Sequence, residues 1–288
     1  MQRWLTLTIL CLSGGTIFML PFLREVYYIP IQQAFSFNHT QMGVLSSVFG
    51  TSSLLAYFPG GWLADRFSSR KLMSSGLLGV ALGGVYYSTF PSYSISIVIH
   101  AFWGLCTSLV FWGAMIKATR NWGRTNEQGR AFGLLESGRG IFELVSSSLL
   151  LAFFAWVGSQ ADALSQVIIL FSLCNASLAV LVWLFLKDTV GDKTGEGTKT
   201  KLGLKEIIAV LRMPAVWLIS MIVLTSYSAY WGAYYFAPYA TDIFGLSVVI
   251  GASLAVGKMW LKPVVAVCAG FAADKLGVAN TVFYCLLA

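Results

Sequence analysis

The sequence predicts an all-α membrane protein. Three observations predict it: apolar runs as long as a bilayer is thick, a scarcity of charge, and basic residues confined to alternate loops. Hydrophobic residues fill 57% of the 288 positions and charged residues 11%, where soluble domains carry about 25% charged residues. Mean hydropathy is +0.74. A helix needs about 20 mostly apolar residues to cross the hydrocarbon, and eight segments reach that length before a ninth begins.

The first segment, residues 4–31, is longer than a crossing requires and is expected to tilt or to kink near Pro21, because proline removes a backbone donor and its ring crowds the preceding turn. The next five are 42–63, 72–90, 93–119, 131–157 and 164–186. A stretch rich in Gly, Thr, Lys and Asp follows over 187–205 and reads as a flexible linker. The seventh and eighth segments are 216–239 and 247–272; the ninth starts near Ala279, and the sequence stops at Ala288. An apolar half-helix would leave its last carbonyls unsatisfied in lipid, so a longer parent chain is expected. The organisation read from this pass is a six-helix bundle over 1–187, a linker over 188–212, and the start of a second bundle over 213–288.

Charge sets the orientation. Arg66, Arg70 and Lys71 follow the second segment, Arg120, Arg124 and Arg130 the fourth, a run from Lys187 to Arg212 the sixth, and Lys275 the eighth; the loops after segments three, five and seven contain no Lys or Arg. By the positive-inside rule the N-terminus and the linker are expected in the cytoplasm, against a seven-helix receptor with its N-terminus outside. The net charge of +7 is spread over these loops and lacks the one-faced footprint of a nucleic-acid binder. Cys11, Cys106, Cys174, Cys268 and Cys285 all sit in apolar runs and read as small hydrophobes, with no disulfide or metal spacing. His39 and His100 imply no metal site, no phosphate-binding glycine loop argues for ATP-driven work, and no catalytic triad is visible. No cofactor is expected, and the chain is not expected to be an enzyme.

Two loops repeat. Gly61-Trp62-Leu63-Ala64-Asp65-Arg66 follows the second segment and Gly270-Phe271-Ala272-Ala273-Asp274-Lys275 follows the eighth, two segments into each expected bundle. A parallel repeat of six-helix units gives this pattern. The first stretch, with Arg70 and Lys71 beyond it, resembles the cytoplasmic loop motif of the major facilitator superfamily, Gly-x-Leu-Ala-Asp-Arg-x-Gly-Arg-Arg/Lys; Ser68 stands where the motif has its second glycine. The resemblance covers the whole chain in segment count, linker position and topology, and implies twelve spans in two bundles that rock around a midplane site. It also implies that Gly61, Asp65, Arg66 and Arg70, with Gly270 and Asp274, latch the halves in one conformation. In this reading Gly61 lets two helices cross closely, and Asp65 meets the positive end of a neighbouring helix.

Ionisable residues at membrane depth are costly and are functional candidates by default. Glu136, Arg139 and Glu143 are spaced three and four apart on one helical face, where Arg139 can pair with either acid; a structural triad and a coupling role are the two readings. Arg24 and Glu25 precede Tyr27 and Tyr28, and read either as an interfacial ion pair or as Arg24 facing the cavity. Lys258 and Lys262 share a face without an acid in their own segment; a substrate or coupling role and neutralisation by an acid on spans beyond these residues are the two readings. Lys117 and Arg120 read as snorkelling. Tyr227, Tyr230, Trp231 and Tyr234 lie three to four apart on the seventh segment, which the resemblance places along the pathway.

Arg24, Lys258 and Lys262 together favour an anionic organic substrate, carried by alternating access with proton coupling or exchange. Organophosphate carriers of the family resemble this chain in the first span and the loop after it, but their second arginine, in span seven, has no counterpart here. The alternatives are a non-transporting membrane sensor on the same scaffold and a drug or cation exporter. The Gly/Pro motif of drug antiporters is replaced by Glu136-Ser137-Gly138-Arg139-Gly140, which weighs against the exporter. Expected partners are a small-molecule substrate, protons and the lipid bilayer, for a monomeric multi-pass protein of the cell membrane.

Overall fold

Proline decides the first break. A computed structural model describes residues 2–123, 128–187, 209, 212–261, 280 and 283–284. The expected first span is two helices, α1 (Gln2–Thr16) and α2 (Arg24–Phe35). Pro21 sits in the turn segment between them, where the bonds run partly to the third residue back, as in Met19 N–H to Thr16 O at 3.0 Å. Pro30 then bends α2 at Tyr27 (φ −107°, ψ 38°), because a proline ring cannot sit over the carbonyl four residues earlier. α2 ends on Ser36 in the left-handed conformation, and Asn38 caps the next helix in a reciprocal box with Gln41.

α3 (His39–Arg66) has 28 residues, about 42 Å at 1.5 Å per residue, so His39 and Arg66 mark opposite ends of the bundle. α4 (Ser69–Tyr87) starts on the Ser68 cap. The fourth span is continuous from Tyr93 to Trp122. It consists of α5 (Tyr93–Gly104), a π-helical stretch (Leu105–Trp112) and α6 (Gly113–Trp122). α7 (Gln128–Val157) and α8 (Ala161–Phe185) complete the first six spans. In the second half, α9 (Pro214–Gly232) passes through a 3-10 turn (Ala233–Tyr235) into α10 (Phe236–Phe244), so the expected seventh span is broken near its end. α11 (Val248–Leu261) follows. Most of the expected linker and most of the ninth span lie outside the described residues. Among the described residues three helices are by themselves long and apolar enough to cross a membrane: Tyr93–Trp122, Ala131–Val157 and Ala161–Phe185.

In the bundle α4 packs on α8, α3 on α5, and α1 on α7. The core between them holds Leu10, Ile17, Met73, Leu77, Trp103, Phe111, Phe154 and Ile168. The Trp103 indole N–H is not stranded there, because it donates to Val80 O at 3.2 Å. Large apolar side chains such as Leu54, Leu55, Phe58, Leu149 and Trp156 point outward. So wide an apolar surface has lipid as its matching solvent.

The glycine that lets helices cross is not the expected one. A Cβ on Gly60 would stand 2.5 Å from Ser108 O, while one on Gly61 would meet nothing within 4 Å. α3 therefore presses Gly60 against the π-helical stretch, and Gly61 faces outward one residue, or about 100°, around the helix. Gly60→Ala is expected to lower stability by about 1–3 kcal/mol through overpacking. Gly61→Ala is expected to be neutral or stabilising, by up to about 1 kcal/mol from helix propensity. Thermal unfolding of the two variants in detergent measures the contrast; equal midpoints would refute the crossing assigned to Gly60.

Candidate functional site

The break at Pro21 and the bend at Tyr27 carry Arg24 and Glu25 into the protein interior, where they are 8% and 4% exposed. The two side chains do not pair with each other as the interfacial reading expected. Arg24 Nη1 donates to Met42 O at 2.9 Å, on α3, and its Nε has no hydrogen-bond partner. Among the described residues Arg24 makes no ion pair. Glu25 instead accepts from Lys258 Nζ on α11, 233 residues along the chain. An acid that meets Lys258 thus lies on span one. Lys262 lies outside the described residues.

Tyr234 lies between these cations. Its ring centroid is 4.6 Å from Lys258 Nζ and 5.8 Å from the Arg24 guanidinium carbon. Cations favour the negative face of an aromatic ring. Tyr234 stacks on Trp231, with centroids 4.7 Å apart and planes at 17°. Phe22 meets Trp231 edge-on at 5.8 Å, Phe18 lies 6.0 Å from Phe22, and Trp112 lies 5.9 Å from Phe18. At the far end Arg139 sits 5.0 Å over Trp112. A row of rings from both halves therefore joins two cationic ends. The four-residue face expected on span seven is reduced: Trp231 and Tyr234 meet in the row, Tyr227 is 62% exposed, and the Tyr230 side chain lies outside the described part.

Arg139 reaches Trp112 because Gly14 on α1 lacks a side chain; a Cβ there would stand 2.8 Å from Arg139 Cδ. Of its two acids Arg139 takes Glu136, with Nη1 and Oε1 2.5 Å apart. Glu143 lines a cavity with Glu25, Tyr27 and Ser147, closed by Phe18, Phe171 and Met259. Of the triad expected on one face, Arg139 and Glu136 form the pair and Glu143 turns to this cavity.

At the Asp65 end the side chains turn to aromatic rings and carbonyls. Arg66 lies 4.1 Å over Trp62, and Arg70 lies 5.1 Å over Trp183. Asp65 is exposed, and Gly270 and Asp274 lie outside the described residues. Lys117, read as snorkelling, instead donates from Nζ to Ala64 O at 2.9 Å and Phe67 O at 3.4 Å, capping the C-terminus of α3 with a charge that favours that end of the helix dipole. The opposite end holds a contact that sequence reasoning missed. The Tyr28 hydroxyl is 3.0 Å from His39 Nδ1, and His39 Nε2 is 3.5 Å from Asp242 on α10. No spacing in the sequence brings residues 28, 39 and 242 together.

Residues 4–288 match the Major Facilitator Superfamily. The chain is similar to inner membrane protein YqcE of Escherichia coli K12, 33% identical over 254 residues, covering 86% of this chain and 59% of that protein. It is also similar to inner membrane protein YihN of the same organism, 30% identical over 287 residues, covering 99% and 68%. A shorter match, 27% over 113 residues, covering 37% of this chain and 25% of the relative, is to a probable galactarate/D-glucarate transporter of Pseudomonas putida. Thus the chain spans about three-fifths to two-thirds of the two Escherichia relatives. Among solved structures, a bacterial homologue of the human lysosomal transporter Spinster, inward-facing and unoccupied, superposes with a TM-score of 0.75 at 14% identity, over 95% of this chain and 63% of that one.

Removing one partner of a buried ion pair leaves the other uncompensated, at a cost of about 3–5 kcal/mol. Glu25→Gln and Lys258→Gln are each expected to lower the thermal midpoint clearly, and the double variant is expected to recover most of the loss. Additive single losses would show that the two charges do not act as a pair.

Proposed function

The chain belongs to the Major Facilitator Superfamily, and on that premise we propose that it is a secondary active transporter of a small organic anion, working by alternating access. The two bundles, 1–187 and 213–288, joined by 188–212, rock against each other around a site near the membrane midplane. The observation that carries the anionic reading is Arg24. It is buried, makes no ion pair among the described residues, and faces Tyr234 from the other half. A buried guanidinium with donors to spare recognises a carboxylate or phosphate better than any other side chain. Lys258 stands on the other side of Tyr234 and supplies a second positive charge when it leaves Glu25. The Pseudomonas putida relative is named for galactarate and D-glucarate, and an anionic cargo agrees with that name. Trp231, Tyr234 and Phe22 offer ring faces to the apolar side of the cargo.

The positive-inside pattern supports an N-terminus and an Asp65 loop in the cytoplasm. His39 and Asp242 then form the outer closure between the halves. Lys117 holds the end of α3 in place behind Asp65, which supports a latch role for the loop of Asp65, Arg66 and Arg70. The protein acts as a monomer in the cell membrane, with protons or a counter-anion as the driving partner.

Uptake into proteoliposomes, with and without a pH gradient, tests the reading. Arg24→Gln is expected to lower uptake of the transported anion at least tenfold, the equivalent of about 1.4 kcal/mol. Absence of uptake or exchange across a broad panel of organic anions, phosphate esters and sugar acids included, would defeat the anionic proposal. Asp65→Asn is expected to slow the exchange rate several-fold with little change in the half-saturating concentration; a change confined to that concentration would remove the latch role.

A further inference from the structure

We infer that the cavity between Arg24, Tyr87 and His100 is a subsite for a hydroxyl group carried next to the acid group of the cargo, and that His100 selects it. The inference deepens the anionic transport reading, on which it rests, by naming a second chemical feature of the cargo: a 2-hydroxy acid in place of a bare carboxylate. The lining of the cavity comes wholly from the first bundle. Arg24 lines it from α2, Tyr87 from α4 and His100 from α5, with Leu20, Leu23 and Leu45 among the apolar residues around them. Its volume is about 10 Å³, room for about one water-sized group.

Each polar side chain of the cavity is buried and held in place by its own helix neighbours. Arg24 Nη1 donates to Met42 O, which fixes the guanidinium against α3; its other nitrogens make no hydrogen bond among the described residues. The same guanidinium meets the ring of Tyr234 from the second half, so Arg24 belongs both to the cavity and to the place proposed for the acid group of the cargo. His100 is 7% exposed, and its Nδ1 donates to Ser96 O at 2.8 Å, since a carbonyl only accepts. That bond sets the tautomer of the uncharged ring and leaves Nε2 as an acceptor. The His100 ring is steadied edge-on by Trp103 at 5.0 Å and by Tyr87 at 5.5 Å. α4 comes this close because Gly84 has no side chain; a Cβ there would stand 2.5 Å from Leu20 Cδ1. Tyr87 is 2% exposed, and its hydroxyl makes no hydrogen bond among the described residues.

These three groups ask for a particular guest. A guanidinium supplies donors only, His100 Nε2 supplies an acceptor, and the Tyr87 hydroxyl takes either role. A carboxylate satisfies Arg24 but has no proton to give to His100. A hydroxyl on the neighbouring carbon has one: it donates to His100 Nε2 and accepts from Tyr87 or Arg24. Room for one water-sized group fits a hydroxyl and refuses a bulkier substituent such as a methoxy group. An acid without the hydroxyl leaves Nε2 and the Tyr87 oxygen unmatched, or leaves a water in their company. Buried polar groups left without a partner are costly, and a site built around a hydroxyl rejects the analogue that lacks it for this reason.

Binding to the purified protein in lipid nanodiscs, read as the rise of its thermal midpoint with ligand concentration, compares acids that differ by one hydroxyl next to a carboxylate: malate against succinate, and 2-hydroxyadipate against adipate. The hydroxy acid of at least one pair is expected to bind about tenfold tighter than its partner, and its 2-methoxy ether is expected to lose that advantage. His100→Phe is expected to shrink the preference to less than about threefold, the loss falling on the hydroxy acid. His100→Gln, which keeps an acceptor oxygen, is expected to retain part of the preference. Should the His100 variants fail to fold, Tyr87→Phe keeps the test, because it removes one oxygen and leaves the ring; it is expected to narrow the preference in the same direction. Equal binding within both pairs overturns the inference and assigns the cavity to an ordered water. So does a preference that survives undiminished in the folded variants. In either case the acids still bind, and the anionic reading stands. Binding of none of these acids overturns the inference as well, and uptake across the wider anion panel then decides the anionic reading by itself.

Discussion

Burying an ionised carboxylate in a lipid-embedded bundle costs several kcal/mol unless a cation meets it. In this chain the carboxylate of Glu25 and the ammonium of Lys258 meet across the two halves. Much of the candidate site depends on that contact. It brings α11 against α2, sets Tyr234 between Lys258 and Arg24, and leaves Arg24 to bond a backbone carbonyl in place of an acid. Such a pair adds little net stability over an apolar replacement, since desolvation offsets most of the Coulomb attraction. In the proposed alternating access its use is conditional: a charge contact between halves that move exists in one conformation and must be replaced in another.

The aromatic row extends the same logic. Trp112, Phe18, Phe22, Trp231 and Tyr234 come from three separate spans, and cations stand at both ends. Rings offer cations a partial partner that, unlike a carboxylate, does not neutralise them. Arg24 over Tyr234 therefore keeps its charge available. Arg139 is further committed, because Glu136 holds it as well. In the proposed reading, this contrast makes Arg24 the binding group and Arg139 a structural one.

Several close approaches give the scaffold its shape. Gly60 admits the π-helical stretch of the fourth span, and Gly14 admits the side chain of Arg139. In a membrane, where lipid tails are as apolar as leucine, small residues at crossings contribute much of the helix association through dispersion. Lys117 then ties the crossing to the loop that follows, by capping the carbonyls at the end of α3.

The sequence by itself determined the class of the fold, the course of the spans through the first bundle, and the family. Run length and charge alternation are both read along one dimension; lipid enforces the first because no backbone group can go unbonded in hydrocarbon, and the second follows the positive-inside bias of short loops. The loop motif from Gly61 to Lys71 was legible for the same reason, being contiguous. Tertiary structure alone decided which charges pair and which glycine crosses. Each depends on helix phase, and phase is lost wherever the helix is interrupted: at residues 17–23, at Leu105–Trp112 and at Ala233–Tyr235. A single-residue shift turns a side chain by about 100°. That turn separates Gly60 from Gly61. The partner of Glu25 lies 233 residues away, and spacing along a chain carries no information on which distant helix will stand opposite.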